Sequence, residues 1–339
     1  MIEKIKEEFY FNAVFLITIA TGVILIYSTY AWFSASLNVI ISDFSMVTES
    51  TDGLYVSLDG VTWGSSITVT ENDLLNRLTE TYPTHQTQWS KELSPVSTVG
   101  IPDSNTNRFK FFTHKPHKVY RPNYDNTDTL NFFEVEEKEA KGNALIVAFD
   151  IFLKNVTPSP FEDNVYLEDA VFVNADEESD DDTAINALRL GMVFSDVTSL
   201  DASSSMIQNL GCNGRCTDFI YEPNAFNHSE ISMKMAQKHG VVLEHGNYYE
   251  TYGMKQGGDD IMIWSGVKND KVALDTTYYE RQDTMTDIGG TVLSMPEGIV
   301  KARIYIWVEG QDIDIIEYNS PGYQVSVSLK LNKDHNSYN

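Results

Sequence analysis

The sequence predicts an all-β fold, a jelly-roll-like antiparallel β-sandwich with long loop insertions and one or two short helices, preceded by an N-terminal hydrophobic helix. Three observations carry this. Strand-length segments, either alternating with period two or continuously branched and aromatic, recur from residue 33 to residue 331. Polar turns and loops separate them, as in two packed antiparallel sheets rather than βαβ units. Helical periodicity is scarce, and no repeat of fixed period points to a solenoid or propeller.

The first element is apolar. No charged residue occurs from Phe9 to Ser42, and residues 13–33 are about long enough to cross a bilayer as a helix. Thr29 and Ala31 are the small residues that a signal peptidase reads, which places a cut before Trp32. Residues 1–31 therefore read either as a signal peptide that is removed or as a membrane anchor that is kept. From Trp32 the period becomes two: Phe33, Ala35, Leu37, Val39 and Ile41 alternate with Ser34, Ser36, Asn38, Ile40 and Ser42. Residues 32–48 thus form an extended strand. Either it opens the sheet of its own domain, or it is donated to a neighbouring copy, with Trp32, Phe33, Ala35, Leu37, Val39 and Ile41 as the self-assembly face. Left unpaired in water, such a strand is an aggregation hazard.

Residues 49–339 form the sandwich domain. "GLYVSLDGVTW" sets Leu54, Val56 and Leu58 on one face and turns at Asp59-Gly60. Residues 79–128 are polar, contain five prolines and read as a long insertion, with "RFKFF" a short strand inside it. Strands resume with "ALIVAFDIFLKN", "NVYLEDAVFV" and "NALRLGMVFSD" and close with "VKARIYIWV" and "YQVSVSLKL". "SEISMKMAQKHG" is the helix candidate, capped by Ser229 and terminated by Gly240.

Charge narrows the function. Lys4 and Lys6 against Glu3, Glu7 and Glu8 leave −1 before Trp32, so the remainder carries −24 of the total −25. Such a surface repels phosphates and excludes nucleic acid as a partner. Nucleophile-elbow, zinc-protease, Walker and dinucleotide fingerprints are missing, so the expectation is a protein that is not an enzyme. The histidines of "HGVVLEH" fit no zinc-protease spacing. "HKPH", His114 and His117 among Lys115, Lys118 and Arg121, is a basic island that reads as a solvated loop. The expected cofactor set is none, with calcium as the one alternative: Asp176, Glu178, Asp180 and Asp182 offer hard oxygen ligands at alternate positions of an acidic loop, without the glycine and terminal glutamate of an EF-hand. Cys212 and Cys216 bracket a short turn, which suits a small disulfide loop or a reduced pair. Asn155 and Asn227 each begin a glycosylation sequon.

An apolar signal ending in "STYAWF", then an extended strand and a β-rich body, resembles the TasA/camelysin-like group of exported bacterial matrix proteins, and "TYAWFS", "GLYVSLDGVTW", "FDIFLKN", "ALRLGMVFSD" and "ARIYIWVEGQD" resemble a wider set of exported proteins of Gram-positive type. They cover well under half of the chain, and none is an active-site motif. The resemblance implies a secreted, cell-surface or biofilm-matrix subunit, processed by signal peptidase and crossing the membrane only transiently. Its partner would be itself, in a homopolymeric filament built by donor-strand complementation from Trp32 onward. The chain departs from that pattern in its acidic n-region, its 79–128 segment and its Cys212/Cys216 loop. The alternative expectation is a membrane-anchored extracellular binding domain for calcium or a glycan.

Overall fold

The computed structural model describes residues 39–48, 53–89, 93–98, 100–114, 129–130, 132–135, 145–158, 162–174, 183–223, 252–254, 264–265, 279–281, 288–309 and 323–334. The strands are β1 (Val39–Thr48), β2 (Leu54–Ser57), β3 (Ser66–Val69), β4 (Ser97–Thr98), β5 (Phe111–His114), β6 (Thr129–Leu130), β7 (Phe132–Val135), β8 (Val147–Asn155), β9 (Asp163–Asn174), β10 (Leu188–Phe194), β11 (Thr217–Tyr221), β12 (Tyr252–Met254), β13 (Trp264–Ser265), β14 (Tyr279–Arg281), β15 (Thr291–Met295), β16 (Gly298–Val308) and β17 (Tyr323–Asp334). Helices among the described residues are short: Asp73–Arg77 running into Leu78–Thr81, Thr183–Asn186, and Ser204–Gln208. The all-β expectation holds. The helix candidate at 229–240 and the N-terminal hydrophobic segment lie outside the described residues.

Two five-stranded sheets carry the fold, in the orders β15-β9-β17-β1-β3 and β11-β10-β16-β8-β2. Every pairing within them is antiparallel except β1 with β17. They face each other through apolar side chains: Phe44 of β1 meets Phe149 of β8 edge-on at 5.2 Å, and Phe172 of β9 stacks on Tyr221 of β11 at 6.1 Å. Sequence pattern separates the sheets. In β17, Val325, Val327, Leu329 and Leu331 are buried while Ser326, Ser328 and Lys330 are not, the signature of one wet face. In β8, β10 and β16 nearly every residue is buried, so this second sheet is covered on both faces.

The cover is the segment that composition alone marks as an insertion. Trp89, 6.0 Å from Phe149, and Leu93, bonded to Val39, are buried beside β1, while Tyr82, Val96, Phe109 and Phe111 are buried against the outer face of the second sheet, so much of the described part of residues 79–128 is a third layer rather than a polar excursion. Its prolines and turns interrupt regular structure, but every few residues an aromatic or aliphatic side chain points at the sheet. Phe109 and Phe111 sit 5.2 and 5.5 Å from the Tyr305 ring, and Phe111 sits 5.2 Å from Trp307. Burial of each such ring contributes about 1.5–3 kcal/mol. Gly191 of β10 makes this approach possible: a Cβ there would meet Phe109 at 2.8 Å and Trp307 at 3.0 Å. Beneath the rings, Trp307 Nε1 donates to Glu309 at 3.0 Å and Ser97 Oγ donates to the other oxygen at 2.5 Å, so the polar edge of the indole is satisfied.

The turn after β2 is wider than a two-residue hairpin. Asp59 accepts the backbone N–H groups of Val61 and Thr62 at 2.8 and 2.7 Å, Gly60 takes φ 73°, and the chain returns to pair Gly64 with Val56. Asp-Gly is chosen here for an Asx turn.

Candidate functional site

The candidate self-assembly strand is seated as follows. β1 lies between β17, parallel from Val39↔Tyr323 to Thr48↔Leu331, and β3, antiparallel from Phe44↔Val69 to Val47↔Ser66. Val39 also exchanges both backbone hydrogen bonds with Leu93, at 3.5 and 2.7 Å. The register shifts between Ile41 and Asp43. This bulge changes which positions face inward: Val39 and Ile41 are buried before it, Phe44, Met46 and Thr48 after it. Polar contacts hold the bulge from the outside. The Ser42 hydroxyl lies 3.0 Å from both Asp43 Oδ2 and Ser326 Oγ, and Ser326 donates to Asp43 at 2.7 Å. Beside it a cleft of about 320 Å³ is lined by Ile40, Ile41, Ser42, Glu71, Trp89 and Gln324.

Of the six residues assigned to the self-assembly face, Trp32, Phe33, Ala35 and Leu37 lie outside the described residues. Val39 and Ile41 are core residues of the chain's own sheet, 0% and 1% exposed. Residues 39–48 of the strand read as 32–48 pair with β17 and β3 of the same chain. From Val39 onward the strand completes its own domain, because Phe44 and Met46 supply apolar surface that faces β8.

The acidic loop with Asp176, Glu178, Asp180 and Asp182 lies outside the described residues, as do His117 and both histidines of "HGVVLEH". Among the described residues no group of three or more His, Cys, Asp and Glu side chains is placed to hold a metal. Cys212 and Cys216 form a disulfide, with Cα atoms 5.4 Å apart, and Cys216 packs into the ring cluster beneath the third layer. Next to it, burial pushes the Asp218 carboxyl up to about 6 although Arg215 pulls it down. A raised carboxylate destabilises the fold once pH exceeds its ordinary value of 3.8, and the penalty is complete above about 6. Asp218→Asn is accordingly expected to stabilise the protein at pH 7 by about 1 kcal/mol after allowing for solvent screening, and to gain nothing at pH 3.5. Urea titrations at the two pH values measure it; an equal effect at both would contradict the assignment.

A polar cluster on the covered face of the second sheet was only half visible in the sequence, as Asp150 in the middle of an apolar run. Arg303 lies directly across the ladder from it, and the pair bonds at 2.8 Å with both side chains under a tenth exposed. The Tyr82 hydroxyl lies 2.9 Å from the second Asp150 oxygen and from the Gln208 carbonyl, and Arg303 also donates to the Gln86 carbonyl at 2.7 Å. Burial holds His85 below its ordinary value, opposed by Asp150 and reinforced by Arg303. Burial, then Asp150, raises the Tyr82 phenol, which stays a hydrogen-bond donor. The Asp150 carboxylate thus spends both oxygens on Arg303 and Tyr82, and the cluster docks the third layer onto the sheet. The signal for it was a lone acid and a lone base on strands that a register places opposite each other. Compared with known proteins, the chain matches no family model, no curated protein and no solved structure.

Proposed function

We propose that this chain is an exported structural subunit that assembles into extracellular or cell-surface filaments by donating the segment in front of β1 to the next copy, as the likeness to TasA/camelysin-like proteins suggests. The observation that carries the reading is the alternation that leads into β1. The alternation of Phe33, Ala35 and Leu37 runs in phase into Val39 and Ile41. A strand with one apolar face, left unpaired in water, calls for a partner edge, and another copy offers the same chemistry. A jelly-roll connectivity of the sandwich belongs to the same proposal. So do removal of residues 1–31, secretion, and a non-enzymatic role.

The bulge fixes how to test it. Deleting residues 32–38 leaves Val39, Ile41 and the rest of β1 in place, whereas a deletion through Ile41 would hollow the core. The expected result is an exported monomer with unchanged melting behaviour and no filaments by negative-stain electron microscopy, where the intact chain shows them. Filaments at normal yield from the shortened chain would overturn the donor-strand reading. N-terminal sequencing of exported material should begin near Trp32; a start at Met1 would favour the anchored binding domain.

A further inference from the structure

At one end of the sandwich, three buried side chains meet whose chemistry exceeds that of an ion pair. Lys333 of β17 and Asp163 of β9 belong to one sheet and Asn155 of β8 to the other. The Lys333 and Asp163 side chains are 0% and 1% exposed and Asn155 is 0% exposed. Lys333 Nζ lies 2.9 Å from Asn155 Oδ1, 3.2 Å from Asp163 Oδ2 and 2.6 Å from Thr157 Oγ1. Asp163 Oδ2 in turn accepts from Asn155 Nδ2 at 2.9 Å. The amide orientation is fixed by its surroundings: the Thr157 backbone N–H donates to Oδ1 at 3.2 Å, and Nδ2 donates to the Pro296 carbonyl at 3.3 Å.

An amine, a carboxamide and a carboxylate that bridges them, sealed from water, are the reactants and the proton relay of an amide exchange. We propose that Lys333 and Asn155 are joined in the folded protein by an intramolecular isopeptide bond, with Asp163 as the catalytic proton carrier and the Thr157 N–H as the oxyanion donor. Asp163 takes a proton from the Lys333 ammonium, and the freed amine attacks Asn155 Cγ. The new Nζ–Cγ bond places negative charge on Oδ1, where the Thr157 N–H already points. The Cγ–Nδ2 bond then breaks, and Nδ2 leaves with its own two protons and two from Nζ, relayed by Asp163, as ammonium. One proton stays on the new amide, Asp163 ends as the carboxylate it began as, and no redox partner is needed. Water cannot compete for the carbonyl because all three groups are buried. The bond would tie the last strand of one sheet to the facing sheet, closing a loop of 178 residues.

The test is mass spectrometry of the intact full-length protein and of its tryptic digest. The expected results are a mass about 17 Da below that of the unlinked chain, lost as ammonia, and a branched peptide joining the fragment after Lys154 to the fragment after Lys330, uncleaved at Lys333. Separate linear peptides would overturn the proposal, including a linear Asn155 peptide that has lost ammonia to a succinimide. Lys333→Met and Asp163→Asn, checked for folding by circular dichroism, should each abolish the branched peptide. A folded Asp163→Asn that still forms it would remove Asp163 from its assigned role. The wild-type digest decides whether the bond exists even if a variant fails to fold.

Discussion

Replacing Arg303 by alanine is expected to destabilise the protein by about 3–5 kcal/mol, because it leaves the Asp150 carboxylate buried without its charge partner. The pair is 2.8 Å long and less than a tenth exposed on either side, so water cannot take over the missing bonds. Arg303 also anchors the third layer through the Gln86 carbonyl, and loosening it frees the Tyr82 end of that layer. Replacing both members together, as Arg303→Met with Asp150→Leu, should recover most of the loss, since what costs most is the stranded charge. Urea unfolding of the two single variants and the double variant measures the difference. A loss under about 1 kcal/mol in Arg303→Ala would show that the pair is hydrated and marginal. The pH dependence has a definite sign. Burial alone would raise Asp150, but Arg303 and Lys301, with hydrogen bonds from Arg303 and Tyr82, outweigh it and hold the carboxyl below its ordinary 3.8. Its contribution is therefore full above that value and is lost as pH falls through the lowered one, so Asp150→Asn should flatten the acid limb of the stability curve.

Trp307→Ala is expected to cost about 3–5 kcal/mol, the range for removing a large buried aromatic side chain. Trp307 is 0% exposed, touches Phe109 and Phe111 of the third layer, and lies over Gly191. Its loss opens a void in the packed cluster and removes the hydrogen bond that Glu309 accepts from the indole N–H. The effect should be concentrated. Amides of Val96 and Ala148, which bond across to the sheet or the layer, should lose hydrogen-exchange protection before those of β17 do. Uniform loss of protection would instead mean that layer and sandwich unfold as one unit.

Much of the sandwich was legible because its strands carry their burial in their spelling. The alternating Val325, Val327, Leu329 and Leu331 mark a sheet with one wet face, and the unbroken apolar run around Phe149 marks a sheet covered twice. That second cover was itself a prediction available from the run, yet its source was hidden. The segment that provides it, with Tyr82, Phe109 and Phe111, shows strand spacing only in "RFKFF" and is otherwise proline-broken and polar, so composition made it look like an excursion. β1 was legible only to Ile41, since the bulge at Ser42 reverses the phase and moves the buried set from odd to even positions. The charge clusters were less legible still. Asp150 and Arg303, or Lys333, Asn155 and Asp163, come together through ladder register and the facing of two sheets, which residue spacing does not encode.

The parallel pairing of β1 with β17 has a mechanical consequence. The chain enters β1 at the end where β17 starts, and it leaves β17 beyond the end where β1 stops. Tension applied between the start of β1 and the end of β17, which lie at opposite ends of the pair, slides the strands past each other along their length, so the interstrand bonds from Val39 to Thr48 resist together instead of opening one at a time like a zip.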